Sequence, residues 1–491
     1  MKRSDTTLFL AAFLPACAAL WFAACAAHFG PGYIVEKQEI HVSFASQPTP
    51  VVHVAAKYDL KNTGTQELLS LDVRLPGRRF HTVDLAISWD GAALTPNISP
   101  ENPRDVQLRF PQTWPVGASR TLQFSYGISS IDAGQGPVGF VADAFYLPAG
   151  GWTPELPQVR GVFGFGGVPP KKWELTVDVP QGFLVHASGG KGRRFGEKGD
   201  MQFRFSQTAE DLIPFLVAGR YYETRRDLPQ HEAVLIWSRA ALNPSGLQPA
   251  GDSISRALAA YESLLGARSK SSSALWIVDC PLEASCLPGR GSGYSVFLDG
   301  ENTSASAEMI SNDTVLVDPR SSRGAAEALV APALAAAWLG YGNNPGFYEQ
   351  QPPMSALPAF TAALVREISS GPQAREEIIR RALNRIPEPA TPASNNDPAV
   401  FRAKSLLLFY ALRDRVGSDA FQKALQHMLV ARRGRGFDIT DLISSLEQES
   451  HQPVGPFVRQ WIKRPGIPED FRSKYSMAAA SQTSLAQEAT Q

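Results

Sequence analysis

The sequence predicts an α+β, multidomain chain: an N-terminal antiparallel β-sandwich over residues 33–225, then a mainly helical domain over residues 226–474. Three observations carry this. The 491 residues exceed one ordinary domain, and 44% of them are apolar, enough for more than one core. Up to about Tyr222 the chain alternates or runs β-branched between closely spaced turn residues. Beyond about Arg226 the period changes, and from Ser321 onward helical spacing dominates.

The elements follow in order. "VVHVAAKYDL" and "LSLDVRLPG" read as strands bounded by Asn62-Thr63-Gly64 and Pro76-Gly77. "SRTLQFSYGI", "KKWELTVDVPQGFLVHASGG" and "DMQFRFSQT" continue the pattern, and "DLIPFLVAGRYYE" is expected to be the last strand of the sandwich. "HEAVLIWSR" and "ALWIVDC" are buried strands. Between them Ile254, Leu258, Tyr261 and Leu265 recur at helical spacing, with Asp252 or Ser253 as the N-cap. "ALVAPALAAAWLGYG" reads as a buried helix despite Pro332. "AREEIIRRALNR" is amphipathic and ends in the proline-rich "IPEPATPASNNDP". "AKSLLLFYALRDRVG" ends at Gly417, "SDAFQKALQHMLVA" starts at Ser418, "TDLISSLEQES" starts at Thr440, and "VGPFVRQWIKRPGIP" closes the series. The low-complexity tail, residues 475–491, is expected to be disordered.

Lys2 and Arg3 precede an apolar stretch from about Thr6 to Ala27, so residues 1–28 are a targeting segment. Three fates fit it: a cleaved signal peptide, a lipoprotein signal ending at Cys17 or Cys25, or a retained membrane anchor. Phe22 and Pro15 make both lipoboxes imperfect. All three fates export the main body, to the periplasm or another extracytoplasmic space, and the lipoprotein and anchor fates would also hold it at the membrane. Cys280 and Cys286, six residues apart in "DCPLEASCLPG", are then the candidate disulfide. Lys+Arg and Asp+Glu both number 47, which removes any general electrostatic case for nucleic acid. The run Arg432-Arg433-Gly434-Arg435 is read as a solvated loop.

The phrases "YDLKNTG", "FYLPAGGWTP", "WELTVDVPQGF" and "FLVAGRYYE", followed by "LLLFYALRDRVGSDAFQKAL", "ITDLISSLEQES" and "FVRQWIKRPGIP", resemble the alanyl aminopeptidase family of gluzincin metallopeptidases over roughly residues 35–470. The resemblance implies a thermolysin-like second domain, a zinc ion, and an H-E-x-x-H helix followed by an aromatic pair and a glycine. Aligned on Trp338-Leu339-Gly340, the family's first His, Glu and second His fall at Pro332, Ala333 and Ala336. Two imidazoles one turn apart grip the metal there, and the Glu takes a proton from its bound water. Proline and alanine offer no lone pair for either task. The third ligand falls at Pro358, ahead of Ala359-Phe360; Glu349 and Glu367 lie at the wrong offset. The family's transition-state tyrosine falls at Arg402 or, with a slip of one, Phe401. Its glycine-rich exopeptidase loop falls on "PGRGSGYSVFLDG", with Gly291, Ser292, Gly293 and Tyr294 present and no acid at the expected place; Asp299 and Glu301 are poor stand-ins.

No other site replaces the lost one. None of the eight histidines pairs with another at three or four residues' spacing, and His231-Glu232 has no second His. Ser292 lacks the glycines two before and two after that a nucleophile elbow needs. Alanines in place of ligands are accounted for by packing, and Pro332 by a first turn or a kink. The expectation is therefore a non-catalytic, exported protein of aminopeptidase-like fold, with no metal or other cofactor. It would bind or scaffold a peptide or an envelope-protein partner, with Trp338, Tyr341, Tyr294 and Phe360 as cleft candidates; core packing is the competing role for Trp338 and Phe360. The rival expectation is a working metallopeptidase with an atypical metal site.

Overall fold

The computed structural model describes residues 32–475, leaving out 46–49, 77–79, 100–101, 131–138, 149–150, 157–169, 189, 196–200, 208–214, 228–232, 240–246, 269–273, 281–306, 312, 318–332, 337, 340–352, 388–397 and 433–435. It divides into two compact units, ending and beginning at Gly219 and Arg220.

The first unit holds β1 (Tyr33–Ala45), β2 (Val51–Asn62), β3 (Leu68–Arg74), β4 (Phe80–Trp89), β5 (Asp105–Trp114), β6 (Ser119–Ser130), β7 (Ala144–Leu147), β8 (Trp173–Val179), β9 (Leu184–Ala187), β10 (Met201–Gln207) and β11 (Leu216–Gly219), with a few shorter strands. One sheet runs Arg193–Phe195, β10, β8, β1, β2, β6, β4, Ala92–Ala93. Its long strands alternate faces, with a bulge in β1 between Val35 and Lys37: Ile40, Val42 and Phe44 of β1 are buried, and so are Val52, Val54, Ala56, Tyr58 and Leu60 of β2. Against this apolar face pack a five-stranded sheet containing β9, β11 and β7, and a three-stranded sheet containing β3 and β5. Phe44 stacks on Phe145 of β7 at 4.8 Å, and Trp89 on Phe110 of β5 at 4.0 Å. Two tyrosine tips inside this layer are matched, whereas the buried indole N–H of Trp173 finds no partner among the described residues. Tyr58 donates to the Pro154 carbonyl at 2.6 Å, and Tyr126 to that of Trp152 at 2.7 Å.

Two expectations need correction here. The sandwich is not wholly antiparallel, because β1 and β8 pair in parallel from Gln38↔Trp173 to Ser43↔Asp178. And "FLVAGRYYE" is two strands. β11 pairs with β7 and β9 in the first unit, while β12 (Tyr221–Asp227) pairs with β13 (Ala233–Arg239) in the second. Gly219-Arg220 is the point at which the ladder changes partners.

The second unit is built on the sheet β12-β13-β14-β16-β15, with β14 Ala274–Asp279, β15 Ala307–Ser311 and β16 Thr314–Val317. β13, β14 and β16 run parallel; β12 and β15 are antiparallel edges. The crossover from β13 to β14 carries α1 (Leu247–Leu265). α1 starts earlier than expected, so Asp252 and Ser253 lie inside it. Pro249 sits in its first turn, where the missing N–H costs no intrahelical bond. Helices α2 (Leu357–Ser370), α3 (Pro372–Asn384), α4 (Pro398–Val416), α5 (Ser418–Ala431), α6 (Ile439–Ser450) and α7 (Gly455–Lys463) follow. Their buried faces and those of α1, β13, β14 and β16 form one continuous apolar cluster. α4 ends where expected, at Gly417, whose φ of 88° suits glycine. α6 starts one residue before the expected Thr440 and is capped by Asp438, which accepts from the Thr440 and Asp441 amides, while Asp441 accepts from the Asp438 amide.

Candidate functional site

Residues 333–336 are helical, and the turn continues through Trp338 to Leu339, whose amide bonds the Ala335 carbonyl at 2.9 Å. Ala333, Leu334 and Ala335 are buried within the unit's apolar cluster, and Ala336 packs against it. Small side chains let this turn approach its neighbours closely. Trp338 is buried too. Its indole N–H donates at 2.9 Å to the carbonyl of Gly266, the residue just past α1, and its ring lies 6.2 Å from Tyr261 of α1. The bond satisfies a carbonyl that the helix end leaves without an intrahelical partner. Trp338 thus ties this turn to α1.

Pro358 lies in the first turn of α2, the position at which a helix tolerates proline. It is buried, and the helix backbone around it is closed by Thr361, whose hydroxyl lies 3.0 Å from the Leu357 carbonyl and 2.9 Å from that of Pro358. Phe360 is fully buried among three rings: Phe409 at 5.4 Å, Tyr410 at 5.0 Å and Phe421 at 5.4 Å. It belongs to the core. Glu367 is held by Arg413 at 2.6 Å, both side chains 16% exposed. Arg402 is half-buried on α4, and its Nε is buried without a hydrogen-bond partner.

The side chains at Ala333, Ala336 and Pro358 carry no coordinating atom, and the guanidinium of Arg402 is a cation with no lone pair to give. The positions that the resemblance assigns to the metal therefore do not fit zinc. Among the described residues no three His, Cys, Asp or Glu side chains converge on one point. His41 is taken by Asp178 and His427 by Glu449. Pro332, Tyr341, Gly291, Ser292, Gly293, Tyr294, Glu349, Asp299 and Glu301 lie outside the described residues, as does Cys286. Cys280 is buried and disulfide-bonded.

No family model matches the chain, and no curated protein matches it. Solved structures do. A point mutant of an M1 zinc metallopeptidase from Deinococcus radiodurans superposes with a TM-score of 0.60 at 17% identity, covering 89% of this chain and 96% of that one. The same mutant with a Tyr-Ser-Ala substrate gives 0.58 at 16%, covering 89% and 95%. The unmutated enzyme gives 0.58 at 16%, again covering 89% and 95%. The chain has the M1 metallopeptidase fold. At this identity the likeness speaks for the fold alone, so the chemistry has to be read from the side chains just described.

Two features were missed in the sequence. One is β15, the outer antiparallel strand of this sheet among the described residues, bulged between Met309 and Ser311. Its short run "AEMIS" has no alternation by which to find it. The other is Lys404, on α4 and only 9% exposed. A lone lysine inside "AKSLLLFYAL" was the available signal, since Lys is almost never buried without a partner.

Proposed function

We propose that this chain is a catalytically degenerate, exported protein of M1 metallopeptidase fold, which binds peptides or protein termini in the cell envelope instead of cleaving them. The single observation that carries this is the burial of Ala333 in an apolar core at the place where the resemblance puts the general base. On this reading the family's zinc motif has been lost, and no resident cofactor takes its place. β15, an edge strand among the described residues, supports the binding half of the proposal. An unpaired strand edge offers main-chain N–H and C=O groups to an extended peptide, and such pairing needs no metal. The same fold holds a Tyr-Ser-Ala substrate in the Deinococcus enzyme. The leader and the cysteine pair fit an exported, membrane- or lipid-tethered chain, with Cys280 bonded to Cys286.

The test joins three measurements on the purified chain. Zinc content after mild dialysis is expected to be far below one equivalent. Aminoacyl fluorogenic substrates are expected to show no turnover sensitive to chelator. Fluorescent tripeptides are expected to bind with an affinity that chelator leaves unchanged. Stoichiometric zinc with chelator-sensitive turnover would replace this proposal with the rival one, an active metallopeptidase using an atypical site.

A further inference from the structure

Lys404 is the second charged residue of α4 after Arg402, and its side chain turns inward. One of its three N–H groups donates to the carbonyl of Arg464, the residue that follows α7. That bond closes a helix end and would by itself make Lys404 a structural cap. The surroundings ask more of it. Lys404 lines a cavity of about 130 Å³ whose other walls are Pro353, Val400, Phe401, Leu408, Trp461 and Ile462. Ser405 also faces it, but its hydroxyl is spent on the Phe401 carbonyl at 2.9 Å. The lining contains no acid, and among the described residues no carboxylate pairs with Lys404. Burial pulls its ammonium below the usual lysine range, with no opposing charge to restore it.

A buried ammonium with one neutral acceptor and no counter-ion is a costly arrangement unless an anion completes it. The cavity supplies the room. At about 30 Å³ per water it holds roughly four waters, room for a short acyl chain. Its apolar walls favour a hydrocarbon body, and its single cation favours one negative charge. We propose that this cavity is a binding site for a short-chain monocarboxylate, the carboxylate on Lys404 and the hydrocarbon among Phe401, Leu408 and Trp461. The site is separate from the proposed peptide edge and does not depend on it.

Calorimetric titration of the purified chain with sodium butyrate tests this, with butan-1-ol as the uncharged control and octanoate as the long one. Butyrate is expected to bind at one site, butan-1-ol not to saturate, and octanoate to bind more weakly than butyrate. Lys404→Arg keeps the charge and is expected to retain binding. Lys404→Gln keeps a donor for the Arg464 carbonyl but loses the charge, and is expected to bind at least about tenfold more weakly, as a charge-assisted hydrogen bond implies. Should Lys404→Gln fail to fold, the wild type still decides. After reductive ¹³C-methylation, the Lys404 resonance is expected to shift with butyrate and stay fixed with butan-1-ol. Equal binding by Lys404→Gln, octanoate as tight as butyrate, or an unmoved Lys404 resonance overturns the proposal.

Discussion

Phe360→Ala separates the two roles that the sequence leaves open for this ring. Phe360 is fully buried and touches the rings of Phe409, Tyr410 and Phe421 at centroid distances of 5.0–5.4 Å. Truncating a buried Phe to Ala costs about 3–5 kcal/mol. Each aromatic pair adds roughly 0.5–1.5 kcal/mol beyond its buried area, and three are lost together, so the upper end of that range is expected. Against a domain stability of about 5–15 kcal/mol, this removes a third or more. Phe360→Leu keeps most of the volume and should cost no more than about 1.5 kcal/mol. Urea unfolding, followed by far-UV helical signal, reads both variants as a lowered midpoint at unchanged slope. A cleft-lining ring would behave differently, with stability nearly constant and peptide binding altered. A loss below about 1 kcal/mol in Phe360→Ala, with peptide affinity changed, would refute the core assignment and with it the reading of the Pro358-Ala359-Phe360 turn as sealed.

Three further predictions follow from the second unit. Asp438→Ala removes the capping box of α6 and should cost about 1 kcal/mol, lowering the thermal midpoint by roughly 2–4 °C in calorimetry. Asp414 sits between Lys474 at 2.7 Å, Tyr475 at 2.6 Å and Arg375. Its burial opposes ionisation, but those hydrogen bonds and the Arg375 charge prevail and hold its carboxyl below the ordinary 3.8. A depressed carboxylate contributes stability that is present above its unfolded pKa and lost as pH falls through the folded one. Acid unfolding should therefore steepen below about pH 4, and Asp414→Asn, less stable at pH 7, should converge with the wild type there. Finally, chelator should leave the thermal midpoint unchanged; a zinc site held at a thousand times its Kd would stabilise by about 4.1 kcal/mol, and its loss would shift the midpoint by about 8 °C or more.

The strands of the first unit were legible where one face is buried and the other wet, because β2 and β8 then alternate residue by residue. Which strands pair was not legible. The parallel match of β1 with β8 joins segments more than a hundred residues apart, and alternation carries no record of partner or direction. The break at Gly219-Arg220 was hidden for a similar reason: both halves read as strand, and only the change of neighbours divides them. Helix ends marked by glycine were found, as at Gly417, while the start of α1 was misplaced because Asp252 and Ser253 imitate a cap. At the candidate site the side chains at 333, 336, 358 and 402 were plain in the sequence. Trp338 and Phe360 were not, since an aromatic after a small-residue run suits a cleft wall and a core equally; the Gly266 carbonyl and the ring cluster decide it.

The proposed independence of this fold from a metal would have a physical basis in where its stability lies. A zinc helix places two imidazoles and a carboxylate in a partly desolvated cleft, and each must find a partner or remain at a cost of about 1–3 kcal/mol or more. Here the described part of that turn is Ala-Leu-Ala-Ala, Trp338 and Leu339, and its one polar side-chain group among these residues, the Trp338 indole, is matched by Gly266. The turn is therefore held by apolar contact and one neutral hydrogen bond, terms that do not change with zinc or with pH near neutrality. Reintroducing a single carboxylate by Ala333→Glu would reverse this. It would bury a charge with no cation or metal to meet it, and the expected loss is about 3–5 kcal/mol. Position 333 is part of the core, so building a metal site there would take several coordinated substitutions, with the first of them destabilising.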